Sequence, residues 1–270
     1  YKLDPVTGEM LSVTRVDSRD PKTGLEPKGI IRGTDMPGAL PDVLSSDGTS
    51  VFMRHVRFDL NGKELKGRAP HLFSPAGFLD DTWWHRTYWI FGTKMESGWG
   101  RWHRVGTILQ TGRVLVMDEL NVYGYGRDRY NNNIHPGLGR VHYRLFAAAK
   151  ELLPPPKPVK TQRGRRVPVK SRVKYLWSQS VPLVVRAMVL ADRTLFVAGP
   201  PDSDWEGVDA VAAWQGQRGA LLCAFSASDG RKLAEYNLKS PPIFDGMIAA
   251  EGKLYISTMD GRVICMGGKE

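Results

Sequence analysis

The chain has 270 residues, 41% of them hydrophobic, and a formal net charge of +10. Two cysteines without a CxxC pair exclude a zinc knuckle and a c-type haem attachment. The absence of an apolar run of about 18 residues excludes a spanning helix, and 29 Gly with 18 Pro spread along the chain favour short strands and turns over long helices.

The chain opens on "YKLDPVTGEMLS" (Tyr1–Ser12), with neither an initiator Met nor a signal peptide, so the natural protein is expected to continue upstream. An apolar strand meets Asp-x-x-Thr-Gly and a second strand follows. The glycine can turn the chain with φ > 0, and the polar side chains can bond the turn's backbone. "DVLSSDGTSVFMRH" (Asp42–His55) then reads as two strands around Asp-Gly.

The next stretch, His71–Gly92, reads "HLFSPAGFLDDTWWHRTYWIFG". On a strand, Trp84, Arg86 and Tyr88 share one face and Trp83, His85 and Trp89 the other. Bulk on both faces predicts a packed strand. The functional alternative is an aromatic wall for a flat ligand, formed by Trp83, Trp84, His85, Arg86, Tyr88 and Trp89. His71, Asp80, Asp81 and His85 have donor atoms suited to zinc, iron or copper, but no ligand spacing joins them.

"VGTILQTGRVLVMDE" (Val105–Glu119) is expected to repeat the strand-turn-strand figure, with "RVLVM" as a second strand. "GYGRDRYNNN" (Gly124–Asn133) has no phosphate-loop spacing and is expected to be a long loop. From Pro154 to Lys174 eight Lys and Arg occur without an acid, leaving the remainder near neutrality. This Pro-rich run is expected to be a solvated loop between structural repeats. Its sharper reading is an anion contact through Arg163, Arg165, Arg166 and Lys170. It lacks interleaved aromatics, so nucleic acid is not indicated.

Towards the C-terminus, "MVLADRTLFVAGP" (Met188–Pro200) gives two more strands. "CAFSASDGRKLAEY" (Cys223–Tyr236) repeats the turn figure of Tyr1–Ser12. "MIAAEGKLYISTMDGRVICMG" (Met247–Gly267) reads as three antiparallel strands turning at Glu251-Gly252 and Asp260-Gly261. Cys223 and Cys265, both in apolar runs, are expected to be buried strand thiols. Second strands begin near residues 50, 113, 194 and 253, a spacing that marks a repeat with insertions. Together the figures make four-stranded antiparallel meanders, and radial repetition of such meanders gives an all-β propeller.

"LDPVTGEML", "FSASDGRKL" and "GKLYISTMDGRVICM" resemble the PQQ-like (quinoprotein-type) repeats of β-propellers. "FLDDTWWHRTYW" is similar to stretches of large PQQ-like repeat proteins from planctomycete-type bacteria. The resemblance implies one propeller domain over 1–270, or part of a larger propeller, with the basic insertion at about 154–174. It implies a periplasmic or otherwise extracytoplasmic setting. The expected function is a non-catalytic binding or scaffold module, partnered by another protein or by the rest of a longer chain. The alternative is a fragment of a quinoprotein-like oxidoreductase using PQQ with Ca2+. A quinone enzyme of that type needs a metal site and a carboxylate base. Cys223 and Cys265 are far apart, unlike the adjacent pair usual in that type, and no Asp matches the base. No catalytic residue is therefore assigned and no cofactor is expected.

Overall fold

The computed structural model describes residues 1–17, 19–25, 44–53, 56–73, 89–93, 105–127, 143–154, 171–202 and 207–268. The fold is all-β and of the β-propeller class, with small antiparallel four-stranded sheets as blades. The chain divides into two compact units, Tyr1–Thr111 and Gly112–Glu270.

In the first unit, β1 (Lys2–Leu3) and β2 (Met10–Ser12) form a hairpin. β3 (Leu44–Ser46), β4 (Ser50–Met53), β5 (Val56–Asp59) and β6 (Glu64–Leu65) form a four-stranded meander. β7 (His71–Phe73), β8 (Trp89–Gly92) and β9 (Gln110–Gly112) form a third sheet, with a short helix α1 (Val105–Ile108) before β9. The DPVTG turn forms as its residues require. The Asp4 carboxylate accepts the Val6 and Thr7 N–H groups, and Gly8, at φ 73, donates to the Asp4 carbonyl. Asp20-Pro-Lys-Thr-Gly24 builds the same turn again.

The described residues of the second unit form three sheets. The first is β10 (Val114–Met117), β11 (Asn121–Arg127), β12 (Tyr143–Leu152) and β13 (Val173–Gln179). The next is β14 (Ala187–Ala191), β15 (Thr194–Gly199), β16 (Ala220–Ser226) and β17 (Lys232–Leu238), with helix α2 (Gly207–Trp214) between β15 and β16. The last is β18 (Pro242–Ala250), β19 (Lys253–Thr258) and β20 (Val263–Gly267). Strand alternation sends Val114, Tyr123, Leu145, Met188, Val197 and Cys223 into one core between the first two sheets. Ala187, Ala198, Leu222, Met247, Leu254 and Ile256 fill another between the second and third. Gly199 is required where Val184 crosses its strand, since a Cβ there would lie 1.9 Å from the Val184 carbonyl oxygen.

The three strands expected over Met247–Gly267 form, and both turns fall at the expected pairs. Other expectations need correction. Val105–Ile108 is helical, and β9 and β10 belong to different sheets, so "RVLVM" holds a first strand and not a second. Gly124–Arg127 continues β11 because both glycines sit in register opposite Phe146 and Arg144 of β12. The basic run lies within a blade, between β12 and β13, and not between blades. Leu153 N–H donates to the Arg172 carbonyl at 2.8 Å across its base, and β13 already begins at Val173. Positions 155–170 fall outside the described residues. Cys223 is buried, but Cys265 is exposed because it points away from the face of Ile264 and Met266.

A cationic and aromatic candidate site

Of the first strands of the second unit's sheets, β14 adjoins both β10 and β18. A charged residue leads into each. Arg113 N–H donates to the Tyr125 carbonyl, and Val114 pairs with Tyr125. Arg186 N–H donates to the Ala198 carbonyl, and Ala187 pairs with Ala198. The two arginines therefore hold the same register position in consecutive sheets. Asp245 stands six residues before the left-handed Glu251, as Arg186 stands six before the left-handed Asp192. Its N–H donates to the Arg186 carbonyl at 2.9 Å, which ties the two strand entries together.

Aromatic rings organise these charges. The Arg186 guanidinium carbon lies 4.8 Å from the centre of the Trp214 ring, and that of Arg113 lies 5.2 Å from it. Arg113 is also 5.8 Å from the Phe244 ring. Trp214 closes α2, and Arg186 Nη1 donates to its carbonyl at 3.2 Å, close to Met259 Sδ. A cation at a helix C-terminus is favoured by the negative end of the helix dipole. Rings beneath a guanidinium hold its plane while its edge keeps a fork of donors. Such a fork is matched to a carboxylate or a phosphate. Arg186 is only 6% exposed, whereas Arg113 and Trp214 are half-buried.

Asp245 adds a carboxyl in the left-handed region, at φ 55. The residue is exposed, and protein packed around its carboxyl displaces part of its water and pushes its pKa up to about 6. Nearby, Tyr125 is stacked on Tyr143, with ring centres 5.1 Å apart, and its hydroxyl donates to the Leu183 carbonyl at 3.4 Å. Burial, then the charge of Asp202, raises the Tyr125 phenol above its ordinary range, so it stays protonated. The arrangement offers two cations, one titratable acid and two ring faces within a single unit. Two guanidiniums against ring faces can bind and orient an anion.

Most sequence-predicted site residues lie outside the described residues: Trp83, Trp84, His85, Arg86, Tyr88, Asp80, Asp81, Arg163, Arg165, Arg166 and Lys170. Trp89 opens β8 and is half-buried. His71, in β7, is 3% exposed and stacks on Phe52 with ring centres 4.3 Å apart. Its Nδ1 is 2.8 Å from the Ala69 carbonyl. Among the described residues no group of three or more His, Cys, Asp or Glu side chains is placed to hold a metal ion. Nor, among them, is any helix long and apolar enough to cross a membrane.

Sequence reasoning missed Arg113, Arg186, Trp214, Phe244 and Asp245. A signal was present: "RAMVLAD" and "DGMIAAE" align without a gap, which puts Arg186 and Asp245 in one column. The place of Trp214 beneath both arginines had no comparable signal, because α2 interrupts the meander. No family model matches the chain, and no curated protein is significantly similar to it.

Proposed function

We propose that the chain is a non-catalytic β-propeller binding module. Its ligand carries a carboxylate beside a flat apolar part and is held at the strand entries of the second unit. One observation supports this reading most. Register-equivalent Arg113 and Arg186 place two guanidiniums against the same Trp214 ring, with Asp245 in the third equivalent position. The Asp-Gly and Asp-x-x-Thr-Gly hairpin turns further support assigning the blades to the PQQ-like repeat type, and with it an extracytoplasmic setting. Fixed guanidiniums against ring faces are suited to holding an anion, and the reading assigns binding.

The test is calorimetric titration of the full chain with benzoate and with neutral benzamide. Benzoate is expected to bind at one site and benzamide at least about tenfold more weakly, since hydrogen bonds to a charged group are worth about 1.5–3 kcal/mol. Arg113→Ala is expected to remove benzoate binding while leaving the melting temperature nearly unchanged. Equal binding of both compounds, or benzoate binding that survives Arg113→Ala, overturns the reading.

A further inference from the structure

The two junctions between sheets in the second unit follow one plan, with one large difference. In the first, Tyr123, Ala147 and Trp177 form a cross-strand row over β11, β12 and β13. Trp177 lies 6.5 Å from Tyr123, centre to centre, and its Nε1 donates to the Ala227 carbonyl at 2.9 Å. Its ring packs so tightly under Gly230 that a Cβ there would come within 2.8 Å. The indole therefore plugs the gap between its own outermost strand and the β16–β17 turn of the next sheet.

In the second junction the corresponding row is Phe196, Ala224 and Ala234. Val116 opposite Tyr123 and Val189 opposite Phe196 fix the correspondence, since each lies two residues beyond the first paired position of its strand. Alanine stands where the first junction has tryptophan. A cavity of about 720 Å3 lies beside this row, lined by its Phe196 and by Leu222, Tyr236, Leu254 and Met266, with Gly267 and Gly268 at its rim. Ala234 shares a strand face with Tyr236. Gly268 holds the register position of Ala227: each lies four residues beyond the β20 or β16 residue that continues the row of Ile256 or Val197. The backbone that accepts the indole N–H in the first junction thus has its counterpart at the rim of this cavity. The cavity is continuous with the apolar core between these two sheets, and its volume is in the range of ligand clefts.

We propose that this cavity is a binding site for a planar aromatic group with a ring N–H, of indole size, seated where Trp177 sits in the preceding junction. This site is separate from the arginine and tryptophan cluster, and either assignment can fail without the other.

The test uses the full chain and three probes by calorimetric titration: indole, 1-methylindole and benzoate. Indole is expected to bind one site with a dissociation constant on the order of 1 mM or tighter, as its few heavy atoms allow. 1-Methylindole, which lacks the donor, is expected to bind about fivefold more weakly, the effect of one neutral hydrogen bond. Ala234→Trp is expected to fill the cavity, remove indole binding and raise the melting temperature, with benzoate behaving as in the unaltered chain. Should Ala234→Trp fail to fold, Ala234→Leu is expected to weaken indole binding at least about tenfold through lost volume. Absence of saturable indole binding overturns the proposal, as does indole binding that is unchanged in whichever of the two variants folds. Equal affinity for indole and 1-methylindole overturns the N–H requirement.

Discussion

The junction that follows the β10–β13 sheet and the junction that follows the β14–β17 sheet share the register of their leading strands and differ at the outermost one, which carries Trp177 in the first and Ala234 in the second, and in the β16–β17 turn that the first also packs against. Trp177 closes the first by area and by a directed N–H bond. The second has Ala234 at that position, on the strand face of Tyr236, which with Phe196 lines a cavity. The side chain at this outermost position thus contributes to whether a junction is packed. The stability of the two sites should therefore respond differently to the same kind of truncation. Trp177→Ala is expected to cost about 2–3 kcal/mol, from lost burial, a new cavity and the orphaned Ala227 carbonyl. Phe196→Ala, beside an existing cavity, is expected to cost about 1–2 kcal/mol, because less contact is lost. Urea denaturation of both variants checks the order. An equal or reversed order would remove the distinction between a sealed and an open junction.

The thiols sharpen the comparison from a second side. Cys223 faces the sealed junction, where burial, followed by the charge of Glu235, pushes its pKa up to about 11. Cys265 sits on the outer face of β20 and is exposed. With an aromatic disulfide reagent at pH 8, one thiol per chain is expected to react rapidly. The second is expected to react at least about a hundredfold more slowly, as follows from scarce thiolate and burial. Cys265→Ser should abolish the fast phase and Cys223→Ser should leave it intact.

Much of the hairpin architecture was legible in the sequence, since a turn advertises itself locally. Glu251-Gly252, Asp260-Gly261 and Asp4 to Gly8 each carry the residues that their geometry demands. The sheet to which a strand belongs is a long-range property and was less legible. "RVLVM" looks like any second strand until β8 is seen to take β9 as its partner. The same limit hid the candidate site. Arg113 and Arg186 are 73 positions apart in the chain and become equivalent only through register. Trp214 reaches them from a helix inserted between β15 and β16. The aromatic stretch that attracted most notice in the sequence, Trp83 to Tyr88, lies outside the described residues.

The entry to β18 differs from the entries to β10 and β14 in carrying an acid, and pH separates them. The Asp245 carboxyl has an ordinary value of 3.8 and is raised to about 6 by loss of water around it. A raised carboxyl favours the protonated folded state. Its contribution to stability is present below about pH 3.8 and is lost as pH rises through about 6. Asp245→Asn, which keeps the left-handed backbone accessible, removes that titration. The melting temperature of the variant minus that of the unaltered chain should grow between pH 4 and 6 and stay level above. The change is expected to be small because the side chain still meets solvent, which screens it. A flat difference over this range would show that the carboxyl is hydrated as in the unfolded chain.

The smallest effect concerns the hairpins that open these two sheets. Asp192 turns the β14–β15 connection at φ 50, and Glu251 turns the β18–β19 connection at φ 49, followed by Gly252 at φ 70. The left-handed conformation costs an L residue about 1 kcal/mol or more, because Cβ crowds its own backbone. Asp and Asn bear it better, since a short polar side chain can bond locally, whereas Glu cannot reach back in the same way. The β18–β19 turn therefore carries strain that the β14–β15 turn avoids. Glu251→Asn, which creates the Asn-Gly pair that two-residue hairpins favour, is expected to stabilise the chain by about 0.5 kcal/mol. Asp192→Glu is expected to destabilise it by a similar amount. Both should shift the urea midpoint without changing its slope, since neither alters the surface exposed on unfolding. If Glu251→Asn leaves the midpoint in place while Asp192→Glu lowers it, the strain at Glu251 is offset by contacts of its own side chain, and the two hairpins are not energetic equivalents.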